Sequence, residues 1–217
     1  MVKNIIFDFD GTLVDSAREI VDCLRKAYLK HGINVSISTS QIGPALPELI
    51  KEITPNLKQE EILAIIYEFR SYYDSGGYRS TKPYQGIVEF LNTLRRSGIK
   101  LFIVTNKRHL STSQIIKNLR LGEFAEVLAV DSIPEVNAKY ELVSRIIKKW
   151  KLDVNDTILV GDSVSDIEAA YKNKIKSILV TYGYGYNSAA RTMANHVADS
   201  VAELYPILGL MPYVLIY

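Results

Sequence analysis

Short apolar runs rich in β-branched residues, at 4–9, 100–105, 126–130, 157–161 and 177–181, alternate with helical patterns at 87–97, 110–119, 139–151 and 164–173. Runs this short and this apolar read as strands buried on both faces, which crossover helices achieve in a parallel sheet. The expected fold class is therefore α/β, a doubly wound parallel sheet. The alternation breaks once. Across 16–82 the chain reads only as helices, with Ile20, Val21, Leu24, Ala27 and Tyr28 at three- and four-residue steps. Ile62, Ile65, Ile66 and Phe69 repeat that pattern, and a shorter helix spans 46–53. The expectation is an α-helical cap at 16–82 inserted into an α/β core made of 1–15 and 83–217. A length of 217 residues suits one core with a modest insertion.

Charge and cysteine usage narrow the function classes. Lys plus Arg number 26 against 24 Asp plus Glu, a net charge of +2. That is too small for a field that gathers nucleic acid or an anionic membrane. The stretch 95–108 carries cations and no acid and reads as a solvated helix face plus loop. The single cysteine, Cys23, falls inside a periodic helix and reads as a small core residue in a reduced compartment. Asp8 interrupts the first apolar run before a secretory segment forms, and no tract approaches the length of a membrane span. The expected location is cytoplasmic, as a monomer or homodimer, with the apolar tail 210–217 packed on the body or on a second subunit.

Ligands of an open parallel sheet bind beyond the carboxyl ends of its strands, where strand order reverses. Those ends carry Asp8 and Asp10, Thr105 and Asn106, Asp131, and Asp162, with Lys139 and Asp166 at helix starts. Residues two apart on an extended chain share a face, so Asp8 and Asp10 converge on one point and Gly11 lets the backbone turn. Two carboxylates about 4 Å apart repel by roughly 4 kcal/mol at an effective dielectric near 20. The pair therefore needs a proton or a cation. Four acids, one lysine and no neighbouring cysteine or histidine favour Mg²⁺ over Zn²⁺. A phosphate bridging metal, lysine and loop amides fits such a site, which makes phosphoryl transfer the natural reaction class. His31, His109 and His196 are scattered and carry no assigned chemistry.

The motifs are more specific than the composition. Asp8, Phe9, Asp10, Gly11, Thr12, Leu13 resembles the first motif of the haloacid dehalogenase superfamily. Val104, Thr105, Asn106 is similar to its second motif, Lys139 to its third, and Gly161 to Asp166 to its fourth. The resemblance implies a Rossmann-like core with a helical cap, and a phosphatase in which the Asp8 carboxylate attacks phosphorus. Asp10 then serves as acid and base. It further implies that Asp8, Asp162 and the Asp10 carbonyl hold Mg²⁺, with Asp166 orienting the metal's water shell. Thr105, with amides near Gly11 and Asn106, would bind phosphoryl oxygens, and Lys139 would offset their charge. Tyr140 after Lys139 and Gln85 before Gly86 depart from the prolines common at those places.

In the cap, Ile42, Gly43, Pro44, Ala45, Leu46 resembles a loop of phosphoglycolate phosphatase-like members, as do Arg70, Tyr72, Tyr73 and Gly77. Thr181 to Gly185 resembles their late glycine-aromatic loop. Gly43, Pro44 and Arg70 are the expected specificity residues, and the expected partner is a small phosphorylated metabolite. Ile20 stands where sugar phosphomutases of the superfamily have a histidine, which argues against a mutase. Pyrophosphatase and 5'-nucleotidase activities are alternatives on the same scaffold. A non-enzymatic phosphate binder or receiver-like switch is the alternative of a different class, disfavoured by the chain length and by the helical insertion after the first strand.

Overall fold

The computed structural model describes residues 1–133 and 138–211. In chain order the strands are β1 (Asn4–Phe7), β2 (Val14–Asp15), β3 (Lys82–Pro83), β4 (Lys100–Thr105), β5 (Glu126–Ala129), β6 (Thr157–Gly161), β7 (Lys176–Val180) and β8 (His196–Ala198). The α-helices are α1 (Ala17–Lys30), α2 (Leu46–Ile53), α3 (Gln59–Asp74), α4 (Ile87–Arg96), α5 (His109–Asn118), α6 (Lys139–Trp150), α7 (Val164–Lys172), α8 (Ser188–Met193) and α9 (Val201–Ile207).

Six strands form a parallel sheet in the order β5-β4-β1-β6-β7-β8. Phe7 of β1 pairs with Ile103 of β4 on one side and with Val160 of β6 on the other. The chain builds outward from β1 through β4 and β5, then returns beside β1 to build the other half. Strand order therefore reverses at β1, and the crevice beyond its carboxyl end is where such a fold places a ligand.

Period-two geometry sorts the apolar residues onto two faces. Ile5, Phe7, Ile103 and Val160 pack with Phe90 and Leu94 of α4 and with Leu204 and Tyr205 of α9. Ile6, Phe102, Val104 and Leu159 pack with Leu142, Val143 and Ile146 of α6 and with Ala169 and Ala170 of α7. Both faces are covered, which is why the strands lack an apolar–polar alternation. The helices α1, α2 and α3 share a core of their own, built from Val21, Leu24, Tyr28, Ile50, Ile62 and Ile65.

Several elements differ from the sequence reading. Residues 8 and 9 leave the ladder of β1, because the turn that Gly11 permits begins there: the Phe9 carbonyl accepts from the amides of Leu13 and Val14, and Gly11 has φ +81°. The antiparallel pair β2–β3, with Val14 opposite Pro83 and Asp15 opposite Lys82, ties the start and end of the helical insertion together. Two residues carry no periodicity, so this pair has no sequence signal. The edge strand β8 and the six-residue helix α8 are likewise too short to show a period, whereas α9 buries Val201, Leu204 and Tyr205 at helical spacing and went unread. Within 95–108, the Lys107 side chain is buried, so the solvated face-plus-loop reading fails there, while Arg108 is ion-paired and stays partly exposed. Of the apolar tail 210–217, the part beyond Met211 lies outside the described residues, while Leu210 packs against the core. No described helix is long and apolar enough to cross a membrane.

Candidate active site at the carboxyl edge of the sheet

The Asp8 amide still donates to the Val160 carbonyl at 2.9 Å, so the last rung of the sheet fixes where its side chain emerges. Asp162 follows β6 on the adjacent strand, and Asp166 lies in the first turn of α7. Their carboxylates form a buried cluster with oxygens within 4.8 Å of one another. Lys139, the first residue of α6, reaches Asp8 Oδ1 at 2.8 Å and Asp166 Oδ1 at 2.7 Å. The absence of proline after Lys139 does not keep the ammonium from the cluster. The Asp166 Oδ2 accepts from the Ser163 amide at 3.0 Å and its hydroxyl at 2.6 Å, closing the N-terminus of α7.

Three buried carboxylates face one ammonium. Burial, and next the Asp166 charge, push the Asp8 carboxyl well above the ordinary carboxylate range. The same two causes push Asp162 up to about 7. A carboxylate cluster with this much uncompensated charge is a fit for a hard divalent cation such as Mg²⁺, which takes oxygen donors.

Space around Asp162 is made by missing side chains. A Cβ on Gly11 would sit 2.1 Å from Asp162 Oδ2, and one on Gly183 would sit 2.4 Å from the same atom. Through these gaps the Gly185 amide donates to Asp162 Oδ2 at 2.8 Å. The glycine-aromatic loop after β7 therefore wraps a carboxylate.

Asp10 points elsewhere. Its carboxylate accepts from Lys107 Nζ at 2.8 and 2.9 Å and from Ser16 Oγ at 2.5 Å. The Lys107 side chain is only 7% exposed and stands 4.4 Å from the centre of the Tyr73 ring, which α3 supplies. Burial works against the Lys107 ammonium, yet Asp10 and Tyr73 outweigh it and hold the charge on. Thr105, at the end of β4, is buried, and its Oγ1 accepts from the Lys107 amide at 3.1 Å. That leaves the hydroxyl proton free to donate.

One cavity of about 420 Å³ joins these groups. Asp8, Asp10, Thr105, Asn106, Lys139 and Asp162 form its floor, and Gly43, Pro44 and Arg70 line it from the helical insertion. Gly11 and Asp166 lie behind this lining, one against Asp162 and the other bonded to Lys139. Asp131 stays apart at the surface, where it accepts from Arg108 Nε and the His109 amide. Arg108 also pairs with Asp74 at the end of α3, linking the insertion to the core. Sequence reasoning missed Lys107, Ser16 and Arg108 as members of this environment, and it named Tyr73 without its contact to Lys107. The signal that could have found Lys107 is adjacency, since it directly follows Thr105 and Asn106; averaged over a basic run, it reads as solvated.

The model for a haloacid dehalogenase-like hydrolase matches residues 5–180. The chain is 28% identical over 213 residues to the tyrosine-protein kinase PtkA of Mycobacterium tuberculosis, covering 94% of this chain and 72% of that one. It is 30% identical over 130 residues to a phosphoglycolate phosphatase of Aquifex aeolicus, covering 58% of this chain and 60% of the relative. Among solved structures, a predicted phosphatase from Clostridium acetobutylicum superposes with a TM-score of 0.87 at 29% identity, over 97% of this chain and 100% of that one.

Proposed function

The chain belongs to the haloacid dehalogenase-like hydrolase family, and from that premise we propose that it is a Mg²⁺-dependent, cytoplasmic phosphoric monoester hydrolase acting on a small phosphorylated metabolite. The observation that carries this reading is a buried Asp8 at the strand-order reversal, beside Lys139 and open to a cavity that Asp10 also enters. Residues 16–82 act as the cap.

The Asp8 carboxylate attacks phosphorus in line, and the bond from phosphorus to the leaving oxygen breaks. Asp10 gives its proton to that oxygen, so the alcohol departs and an aspartyl-phosphate remains. Asp10, now a carboxylate, takes a proton from water as the water oxygen attacks phosphorus. The bond to Asp8 breaks and inorganic phosphate leaves. Thr105 Oγ1 and amides near Gly11 and Asn106 hold the phosphoryl oxygens, and Lys139 offsets their charge. Asp8, Asp162 and the Asp10 carbonyl, with Asp166 behind them, would hold Mg²⁺, which would supply further charge neutralisation.

Phosphoglycolate is the leading substrate, supported by the similarity to the Aquifex enzyme over part of the chain. Arg70 in the cavity wall offers a cation for its carboxylate. For Arg70→Ala we expect the relative rates across a panel of phosphorylated metabolites to change while p-nitrophenyl phosphate turnover persists; an unchanged panel removes Arg70 from the specificity set. Pyrophosphate and nucleoside monophosphates are the other substrates to include. The similarity to PtkA favours a second reading, in which a phenol replaces water as the acceptor. Phosphotyrosine formed from ATP in place of released phosphate would select it.

The test is sustained hydrolysis of p-nitrophenyl phosphate with Mg²⁺ and its loss with a chelator; a receiver or binder gives no sustained turnover. Mg²⁺ at about a hundred times its dissociation constant should stabilise the fold by about 2.7 kcal/mol, a rise in Tm of roughly 5–10 °C for a chain this size. No rise would mean that the carboxylate cluster binds no Mg²⁺.

A further inference from the structure

A carboxylate that must protonate one particular oxygen has to be held in plane and direction, because a displacement of about 1 Å can cost on the order of a hundredfold in rate. Asp10 is held unusually well. Lys107 Nζ grips both carboxylate oxygens, at 2.8 and 2.9 Å, and Ser16 Oγ adds a second donor to Oδ1. Ser16 itself sits between β2 and α1, where the chain enters the cap, and its hydroxyl also meets Tyr184 at 3.1 Å.

Lys107 is in turn held by the cap. The Tyr73 ring of α3 covers its ammonium at 4.4 Å, and Phe69 stacks on Tyr73 with ring centres 5.4 Å apart. A desolvated ammonium over an aromatic face gains attraction that it loses in water, so this contact exists only while α3 lies over the core. The chain Asp10–Lys107–Tyr73 thus runs from the reacting edge of the sheet into the cap.

We propose that Lys107 is a positioning residue for the proton-transferring Asp10, and that the Tyr73 ring completes its hold when the cap is closed. The proposal rests on the reading of Asp10 as acid and base. Protonation of the leaving oxygen is then delivered only under a seated cap, while the nucleophile and phosphoryl grip, built from core residues alone, do not depend on the contact.

The test is dependence on the leaving group. A p-nitrophenolate departs with little help, whereas an alkoxide needs its proton. For Lys107→Met we expect kcat to fall about tenfold on p-nitrophenyl phosphate and about a thousandfold on glycerol phosphate, within the range of general acid catalysis, with KM changing by less than about threefold. Lys107→Arg, which keeps a two-point donor, should recover part of the alkyl phosphate rate. Tyr73→Leu should show the same asymmetry in weaker form, and Tyr73→Phe, which keeps the ring under the ammonium and loses only the phenol oxygen, should show less of it than Tyr73→Leu. In an Asp10→Asn background, Lys107→Met should cost neither substrate anything further.

Equal losses on both substrates, or losses that add to those of Asp10→Asn, would overturn the proposal. If Lys107→Met fails to fold, Lys107→Arg and the Tyr73 pair still decide, because each keeps a cation against Asp10. Failure of the underlying reading looks different: Asp10→Asn would then show no preference between the two leaving groups, whatever Lys107 does.

Discussion

Replacing Asp8 with asparagine is expected to abolish phosphatase turnover while leaving the fold intact. The amide lacks the nucleophilic oxygen, and loss of a nucleophile costs on the order of 10⁵–10⁶ in kcat. The fold should survive, because the introduced amide oxygen can still accept from Lys139 and because burial and Asp166 already disfavour the Asp8 anion. With Asp8 raised and Asp162 near 7, the folded cation-free protein holds more protons than the unfolded chain between about pH 4 and 7. Its stability therefore falls as pH rises through that window. In Asp8→Asn the fall should be shallower, and the stabilisation by Mg²⁺ smaller. Thermal melts across pH, with and without Mg²⁺, measure both. Near-normal turnover in a correctly folded Asp8→Asn protein would remove Asp8 as the nucleophile.

The parts of this arrangement differ in how far the sequence reveals them, and the difference is physical. The sheet was legible because both faces are buried: Ile5, Ile6 and Phe7 form a continuous apolar run that few other structures require. The helices of the insertion were legible because α1 and α3 each bury one stripe, so Val21, Leu24 and Tyr28 recur at helical spacing. Asp8 and Asp10 were legible as candidates from their place at the end of the first apolar run, but the expected convergence on one strand face fails, because β1 ends at Phe7. What they touch was not legible. Asp8 turns into the carboxylate cluster and Asp10 toward Lys107, a parting that follows from the Gly11 turn rather than from a strand face.

Contacts between the helical insertion and the sheet were the least legible. Tyr73 and Lys107 meet through tertiary packing of α3 over the end of β4, and no local period reports such a meeting. Arg108 looks, in sequence, like any loop arginine, yet it bridges Asp74 and Asp131. Gly183 and Gly185 carried a partial signal: glycines alternating with aromatics need a backbone reason, and here the reason is the Asp162 carboxylate. Composition misled at 95–108 because a run of like charges is read by its average. Burial is decided residue by residue, by whether one partner such as Asp10 is within reach.

Lys139→Met should give the largest loss of stability of any single change at the site. Methionine approaches the length of the lysine stem, so most of the aliphatic packing is kept and the ammonium alone is removed. The side chain of Lys139 is 6% exposed and bonds Asp8 and Asp166 together. Without it the buried Asp8 and Asp166 carboxylates lose their shared ammonium, and breaking a buried pair by deleting one partner costs about 3–5 kcal/mol. For a chain of this size that lowers Tm by roughly 6–20 °C. Mg²⁺ should restore more stability to this variant than it adds to the wild type, since it replaces the missing charge. Activity should stay low even then, because the proposed reaction loses the ammonium assigned to the phosphoryl oxygens, worth on the order of 10²–10³ in kcat. Adding Asp166→Asn should return much of the stability without the activity, because the cluster then carries one charge fewer and the new side-chain amide can still accept from Ser163. An unchanged melting temperature in Lys139→Met would mean that the acids in this cluster are already neutral, and that no cation is needed to hold them together.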